Sequence, residues 1–244
     1  MEISKWLEEW TKSPFHYILN EGKDETLTAS FMENLTKELK LKKGSNILDL
    51  ACGDGKYSII LNKLGYNLTG IDTSINRIAQ AKKFENDSLR FEVADMRETL
   101  PNEKFQLVLN LFTNFGFFDD EKDNLKVLNS IREMLDKKGI LVLDYLNIAK
   151  EIEHLVKKET KEVANVKFEI IRKNEKNTLS RSVSFGRNGR HYSYAEKFQA
   201  YVLKDFEKLM KDAKFTIKAT FGNYDLSKFD AKKSERLIIV AEKK

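Results

Sequence analysis

A single cysteine, Cys52, stands in the 244-residue chain, so no intrachain disulfide can form and a cysteine-rich zinc site is excluded. The three histidines, His16, His154 and His191, have no metal-ligand spacing, and no metal is expected. Only two prolines occur, Pro14 and Pro101, which leaves no proline-rich linker, and no internal repeat is found. No apolar run approaches the roughly 20 residues that span a bilayer. The charged start, Met1 to Lys5, lacks the apolar stretch of a signal peptide, so the expectation is a cytoplasmic protein with no membrane segment. Charge of one sign is absent too: 43 basic and 38 acidic residues are mixed along the chain, for a net +5. Although the isoelectric point is near 9.0, so small a surplus without a stripe reads as a lysine-rich solvated surface before it reads as a nucleic-acid footprint. Hydrophobic content of 41% and charged content of 33% are those of a globular chain with a sizeable core.

What is present is a strand, a glycine loop, a helix, a second strand and an acid, in that order. Ile47 to Leu50 is a short apolar run stopped by turn formers, as a buried parallel strand requires. Gly53 and Gly55 flank Asp54 where the chain must turn sharply and bring its backbone close to a ligand. Lys56 to Leu64 follows with a helical apolar pattern, its N-terminus toward the loop. Asp72 comes 17 residues beyond Gly55, at the end of the next apolar strand. That spacing is close to the one at which a carboxylate meets ribose hydroxyls. A dinucleotide fingerprint wants a small residue three places after its second glycine; Ser58 stands there, so a nicotinamide reading is the lesser one.

Asp49-Leu50-Ala51-Cys52-Gly53-Asp54-Gly55 closely resembles the first motif of class I S-adenosylmethionine (SAM) dependent methyltransferases, with Ala51 where glycine is commoner. Three further landmarks follow in order. The resemblance implies SAM as cofactor, with Asp49, Ala51, Cys52, Gly53 and Gly55 in the loop and Asp72 with Thr73 at the ribose. It implies Asp95 near the adenine amino group with Met96 on the ring, and Asn110 with Leu111 beside the sulfonium. Cys52 inside this loop is read as a packed small residue and not as a nucleophile.

Strands near 46–50, 67–71, 89–93, 105–111 and 139–145 alternate with helices near 56–64, 74–85 and 120–137, the last ended by Asp136-Lys137-Lys138-Gly139. The implied fold class is α/β: a Rossmann-like, seven-stranded, mostly parallel sheet with an antiparallel edge strand, completed by 215–224 and 236–241. A helix is expected from Asp24 as cap to about Leu41, after a segment holding Trp6, Trp10, Phe15, Tyr17, Leu19 and Lys23, the last a candidate for the cofactor carboxylate. Between the fifth strand and the helix near 203–213 the period switches to two over 163–172, 178–186 and 190–202, which is an inserted antiparallel β lid. The expected organisation is an N-terminal helical cap over 1–44, a SAM-binding domain over 45–157 and 203–244, and the lid over 158–202. Lys214 stands where this family usually has glycine.

A sulfonium methyl is already activated, so transfer needs chiefly an acceptor held in line with water excluded. Candidates to orient an acceptor or take its proton are Asp144, Asn147, His191 and Tyr192, each with a plainer reading as turn cap, packing or surface. Phe112, Phe115, Phe117 and Phe118 wall a pocket or belong to the core. On the third lid strand Arg190, Tyr192, Tyr194, Glu196 and Phe198 share one face, and either face could meet substrate. The resulting expectation is methyl transfer to a nitrogen or oxygen of a small molecule, by a monomer or homodimer. An RNA-modifying enzyme is the alternative; Asn110-Leu111-Phe112-Thr113 lacks the paired prolines of exocyclic base methylators. A nucleotide-linked oxidoreductase, or a protein that holds SAM without transfer, are the remaining rivals.

Overall fold

The computed structural model describes residues 25–244, with side chains from residue 29. The Asp24 cap, Lys23, His16 and the aromatic residues from Trp6 to Leu19 lie outside the described residues. Contacts divide the chain into a larger unit of residues 25–150 and 201–244 and a smaller one containing residues 151–200.

In the larger unit α1 (Glu25–Glu38) leads into β1 (Asn46–Leu50), α2 (Lys56–Lys63), β2 (Asn67–Asp72), α3 (Ile75–Ala81), β3 (Leu89–Val93), β4 (Phe105–Asn110), α4 (Glu121–Met134) and β5 (Leu135–Leu146). The chain continues through the short α5 (Ile148–Glu153), and beyond the smaller unit it returns as α6 (Leu203–Asp212), β10 (Phe215–Phe221) and β11 (Arg236–Lys243). The seven strands lie in the order β3, β2, β1, β4, β5, β11, β10. β1 to β5 are parallel, and β11 is the antiparallel member of the edge hairpin. The order reverses between β1 and β4, which opens a crevice at the carboxyl ends of those strands.

Alternation along each strand builds two cores. Ile47, Leu107, Leu109, Val142, Ile238 and Val240 meet Phe31, Met32 and Leu35 of α1 and Leu61 of α2. On the opposite face Tyr145 packs edge-on to Phe206 of α6 at 5.1 Å, and Phe115 and Tyr201 complete the ring cluster. Phe115 is therefore core.

One boundary differs from the sequence expectation. The helix expected to run to residue 137 stops at Met134, and β5 begins at once with Leu135, fully buried and paired to Phe105. Asp136-Lys137-Lys138-Gly139 then forms an irregularity in the strand, where the register shifts between Phe105 and Leu107. Lys138 takes the left-handed backbone (φ 62°), so Gly139 is no helix cap. Burial of Leu135 in the sheet outweighed the helix-ending composition. Lys214 likewise adopts φ 61° at the turn after α6.

The smaller unit is a four-stranded antiparallel sheet of β6 (Lys158–Val163), β7 (Val166–Glu175), β8 (Thr178–Arg187) and β9 (Arg190–Gln199), in that order. Three two-residue turns join them: Ala164-Asn165, Lys176-Asn177 and Asn188-Gly189. All six residues have positive φ, the mirror-image turn geometry that matches strand twist. β6 was not expected, because Lys158-Glu159-Thr160-Lys161-Glu162 carries almost no apolar signal. Phe168, Ile170, Val183 and Phe185 make the buried face, with Tyr192 and Tyr194 packed on it, while His191, Ser193, Ala195 and Lys197 are exposed.

Candidate active site

Ala51, Gly53 and Gly55 carry φ of 57°, 61° and 81°, so three of five residues after β1 are left-handed. Glycine tolerates this freely, whereas Ala51 costs about 1–2 kcal/mol. The strain is held by fixed partners. Asn114 Nδ2 donates to the Ala51 carbonyl at 3.3 Å, Cys52 N–H donates to Ile71 at 3.0 Å, and Gly53 N–H donates to Asp72 Oδ2 at 2.9 Å. A Cβ on Gly55 would stand 2.5 Å from the Phe91 ring, and one on Gly53 would stand 2.1 Å from the Arg77 guanidinium. At these two positions backbone is thus the only surface the loop offers. Gly55 is also the N-cap of α2, whose free N–H groups face the loop.

The acids of the motif divide into two kinds. Asp49 is buried and accepts the Ser58 hydroxyl at 2.6 Å. Burial raises its pKa to about 7, against the Ser58 hydrogen bond and with added repulsion from Asp72. Asp49 therefore braces the loop from beneath. Cys52 beside it is pushed well above the ordinary thiol range by burial and then by the charges of Asp49 and Asp72, so it is a packed thiol and no nucleophile. Asp72, half-buried, accepts Gly53 N–H and, at 2.8 Å, Ser74 N–H, with Thr73 exposed between. Asp95 at the end of β3 is forked by Arg97. Met96 Sδ lies 3.9 Å from Nδ2 of Asn110. Asn110 ends β4 completely buried, and its Oδ1 has no hydrogen-bond donor.

Beyond β4, Leu111 is buried and Phe112 and Thr113 are again left-handed, at φ 61° and 63°. Asp144 on β5 fixes them. Its carboxylate, with no exposed surface, accepts Phe112 N–H at 2.8 Å, the Tyr224 hydroxyl at 3.1 Å and Arg236 Nε at 2.7 Å. Arg236 Nη2 reaches on to Thr113 Oγ1 at 2.9 Å. Burial, then the Asp144 charge, raises the Tyr224 pKa far enough to keep the phenol a donor. Tyr57 stacks on Phe112 at 4.2 Å, and Tyr224 closes the group at 5.7 Å.

A methyltransferase domain family model matches residues 41–219. The chain belongs to this family, the SAM-dependent class I methyltransferases. It is 25% identical over 232 residues to the putative methyltransferase YqeM of Bacillus subtilis (strain 168), covering 90% of this chain and 94% of that one. It is 26% identical over 128 residues to the dTDP-3-amino-3,4,6-trideoxy-alpha-D-glucopyranose N,N-dimethyltransferase of Streptomyces venezuelae, covering 52% and 53% of the two chains. This chain thus spans about half the length of that relative. Among solved structures, a SAM-dependent methyltransferase from Clostridium acetobutylicum ATCC 824 shares the fold at TM-score 0.79 and 21% identity, covering 94% of this chain and 96% of that one.

In this methyltransferase the structure gathers Ala51, Gly53, Gly55, Asp72, Asp95, Met96, Asn110 and Leu111 at the carboxyl ends of adjacent strands. Of the residues expected to act on an acceptor, Asp144 has its carboxylate committed to three donors. Asn147 is a clamp, its Nδ2 donating to the carbonyls of Ala231 at 2.9 Å and Ser234 at 2.8 Å. His191 is exposed and Tyr192 stacks on Phe185 at 5.0 Å, both in the smaller unit. Arg97, Asn114, Tyr224 and Arg236 have no role in the sequence reading, and Ser58 enters it only as the small residue after the glycine loop, not as the partner of Asp49. Only Arg97 had a local signal, its place two residues after Asp95.

The donor and acceptor set fits SAM. Two carboxylates on neighbouring strand ends suit a diol and an amino group, the glycine loop admits close backbone approach, and the buried Asn110 Oδ1 is an acceptor awaiting a donor or a positive charge. Among the described residues no group of three or more His, Cys, Asp or Glu could hold a metal ion, and no helix is long and apolar enough to cross a membrane.

Proposed function

We propose that this methyltransferase methylates a nitrogen or oxygen of a small molecule, in the cytoplasm, as a monomer or homodimer. The observation that carries the reading is the strained loop Ala51–Gly55, fixed between Asp72, Asn114 and α2, with Asp95 and the orphaned Asn110 Oδ1 on the neighbouring strand ends. Bound SAM supplies a sulfonium carbon that needs no further activation. Asp72 would hold the ribose hydroxyls, with Thr73 beside it, and Asp95 would accept the base amino group while Met96 lies on the ring. Asn110 and Leu111 would face the sulfonium end.

The protein's task is to aim an acceptor and keep water out. Asp144 does so indirectly, by fixing the Phe112–Thr113 backbone, and Asn147 by clamping the segment before β11. A neutral amine needs no base to attack. For an acceptor that must lose a proton, His191 and Tyr192 of the lid are the groups proposed to meet it. The amino-sugar N,N-dimethyltransferase among the relatives supports a small amine acceptor.

The test is incubation with methyl-labelled SAM and a panel of amino sugars and their nucleotides, small amines, phenols and total RNA. Label on one small-molecule class establishes the reading. Label confined to RNA would transfer the protein to the RNA-modifying class.

A further inference from the structure

The site at the end of β3 contains more than the acid that SAM recognition asks for. Asp95 Oδ1 accepts the Arg97 backbone N–H at 2.9 Å and shares Nε with Oδ2 at 3.1 Å, while Oδ2 accepts Nη2 at 2.6 Å. Arg97 cannot swing away easily. Its Nη1 reaches Asp123 of α4 at 3.2 Å, and its guanidinium lies 4.5 Å above the Phe118 ring. Four groups from three segments, the loop after β3, the stretch before α4 and α4 itself, are thereby locked together. A carboxylate has about four acceptor positions, and Arg97 brings three donors, which leaves about one position for one further hydrogen.

Burial alone would favour the neutral acid. The hydrogen bonds and charge of Arg97, with Lys126 assisting, outweigh it and hold Asp95 below the usual carboxylate range. Asp95 is therefore kept an acceptor only, with its remaining position aimed by the fork. A group presenting a hydrogen is welcomed there, and a group presenting a carbonyl oxygen meets a fixed negative charge.

We infer that Arg97 is a positioning residue that makes the end of β3 select a purine bearing an amino group over its 6-oxo counterpart. This rests on the cofactor reading above. The test uses the full chain and two probes, S-adenosylhomocysteine and its deaminated analogue S-inosylhomocysteine, titrated calorimetrically. The wild type should prefer the adenosyl probe by about 10-fold or more, the scale of one hydrogen bond to a charged group. R97Q should cut that ratio below about 3-fold by weakening the adenosyl probe alone, and R97K, which keeps the charge without the fork, should fall between. If R97Q or R97K weakens both probes in parallel and leaves the ratio at the wild-type value, Arg97 is merely structural and the inference is wrong. R97K also serves if R97Q fails to fold. A wild type that binds neither probe overturns the cofactor reading, and this inference with it; a wild type that binds both equally overturns only the inference.

Discussion

Replacing Asp144 with Asn tests whether the carboxylate under Phe112 is the keystone of the post-β4 loop. The side chain has no exposed surface and its partner Arg236 is 13% exposed, so the pair sits in a poorly screened place. An amide of the same size keeps one oxygen, yet three donors converge on the two oxygens present: Phe112 N–H and the Tyr224 hydroxyl on Oδ2, Arg236 Nε on Oδ1. Either orientation of the amide turns an NH2 group toward a donor and removes the charge that Arg236 faces. Breaking a buried pair by removing one partner costs about 3–5 kcal/mol, a large share of a total stability of about 5–15 kcal/mol. Tyr224→Phe removes only one hydrogen bond to a charged group, about 1.5–3 kcal/mol. Urea unfolding should therefore rank stability as wild type, then Y224F, then D144N, the last losing the most. The left-handed Phe112 and Thr113 should relax as their tether goes, so folded D144N should also bind S-adenosylhomocysteine more weakly. A D144N loss under about 1 kcal/mol with unchanged binding would refute the keystone argument.

Three further outcomes are expected. Asp49 has an ordinary value of 3.8 raised to about 7 by burial; a carboxyl so raised contributes stability that is complete below pH 3.8 and lost as pH climbs through 7. The span amounts to roughly 4 kcal/mol, so wild-type stability should fall relative to D49N between about pH 4 and 7 and level off above, and parallel stability curves would disprove the burial argument. Gly55→Ala must accept left-handed backbone, about 1–3 kcal/mol, and a Cβ in the Phe91 ring, about 1–3 kcal/mol more; thermal melting should show the sum, and a neutral substitution would mean that the loop is not held as described. Asp72→Ala should weaken S-adenosylhomocysteine binding by about 1–3 kcal/mol, and unchanged affinity in a calorimetric titration would remove the ribose from β2.

The fold was legible where local pattern and tertiary demand agree. Ile47-Leu48-Asp49-Leu50 and Phe105-Gln106-Leu107-Val108-Leu109 are short apolar runs that only a covered parallel sheet can use, and β1 and β4 begin where expected. Pattern failed where a single contact decided the outcome, as when Leu135 joined Phe105 in the sheet instead of extending α4. It failed again at β6, whose polar residues are ordered by hydrogen bonds to β7 and carry little hydrophobic signal of their own. The site shows the same division. Asp72, Gly53 and Gly55 lie within one βαβ unit, and spacing reveals them. Arg236 lies 92 residues from Asp144 and Tyr224 lies 80 away, and no periodicity connects an arginine on one strand to a buried acid on the next. In sequence Asp144 is only a polar residue at a strand end, a candidate to orient an acceptor, but its partners make it a brace.

The most direct measurement is a calorimetric titration of the purified protein with SAM, S-adenosylhomocysteine and NADH. The first two should bind in the micromolar range and the third not at all; NADH binding with no response to either sulfur nucleoside would contradict the SAM site and move the glycine loop to a dinucleotide.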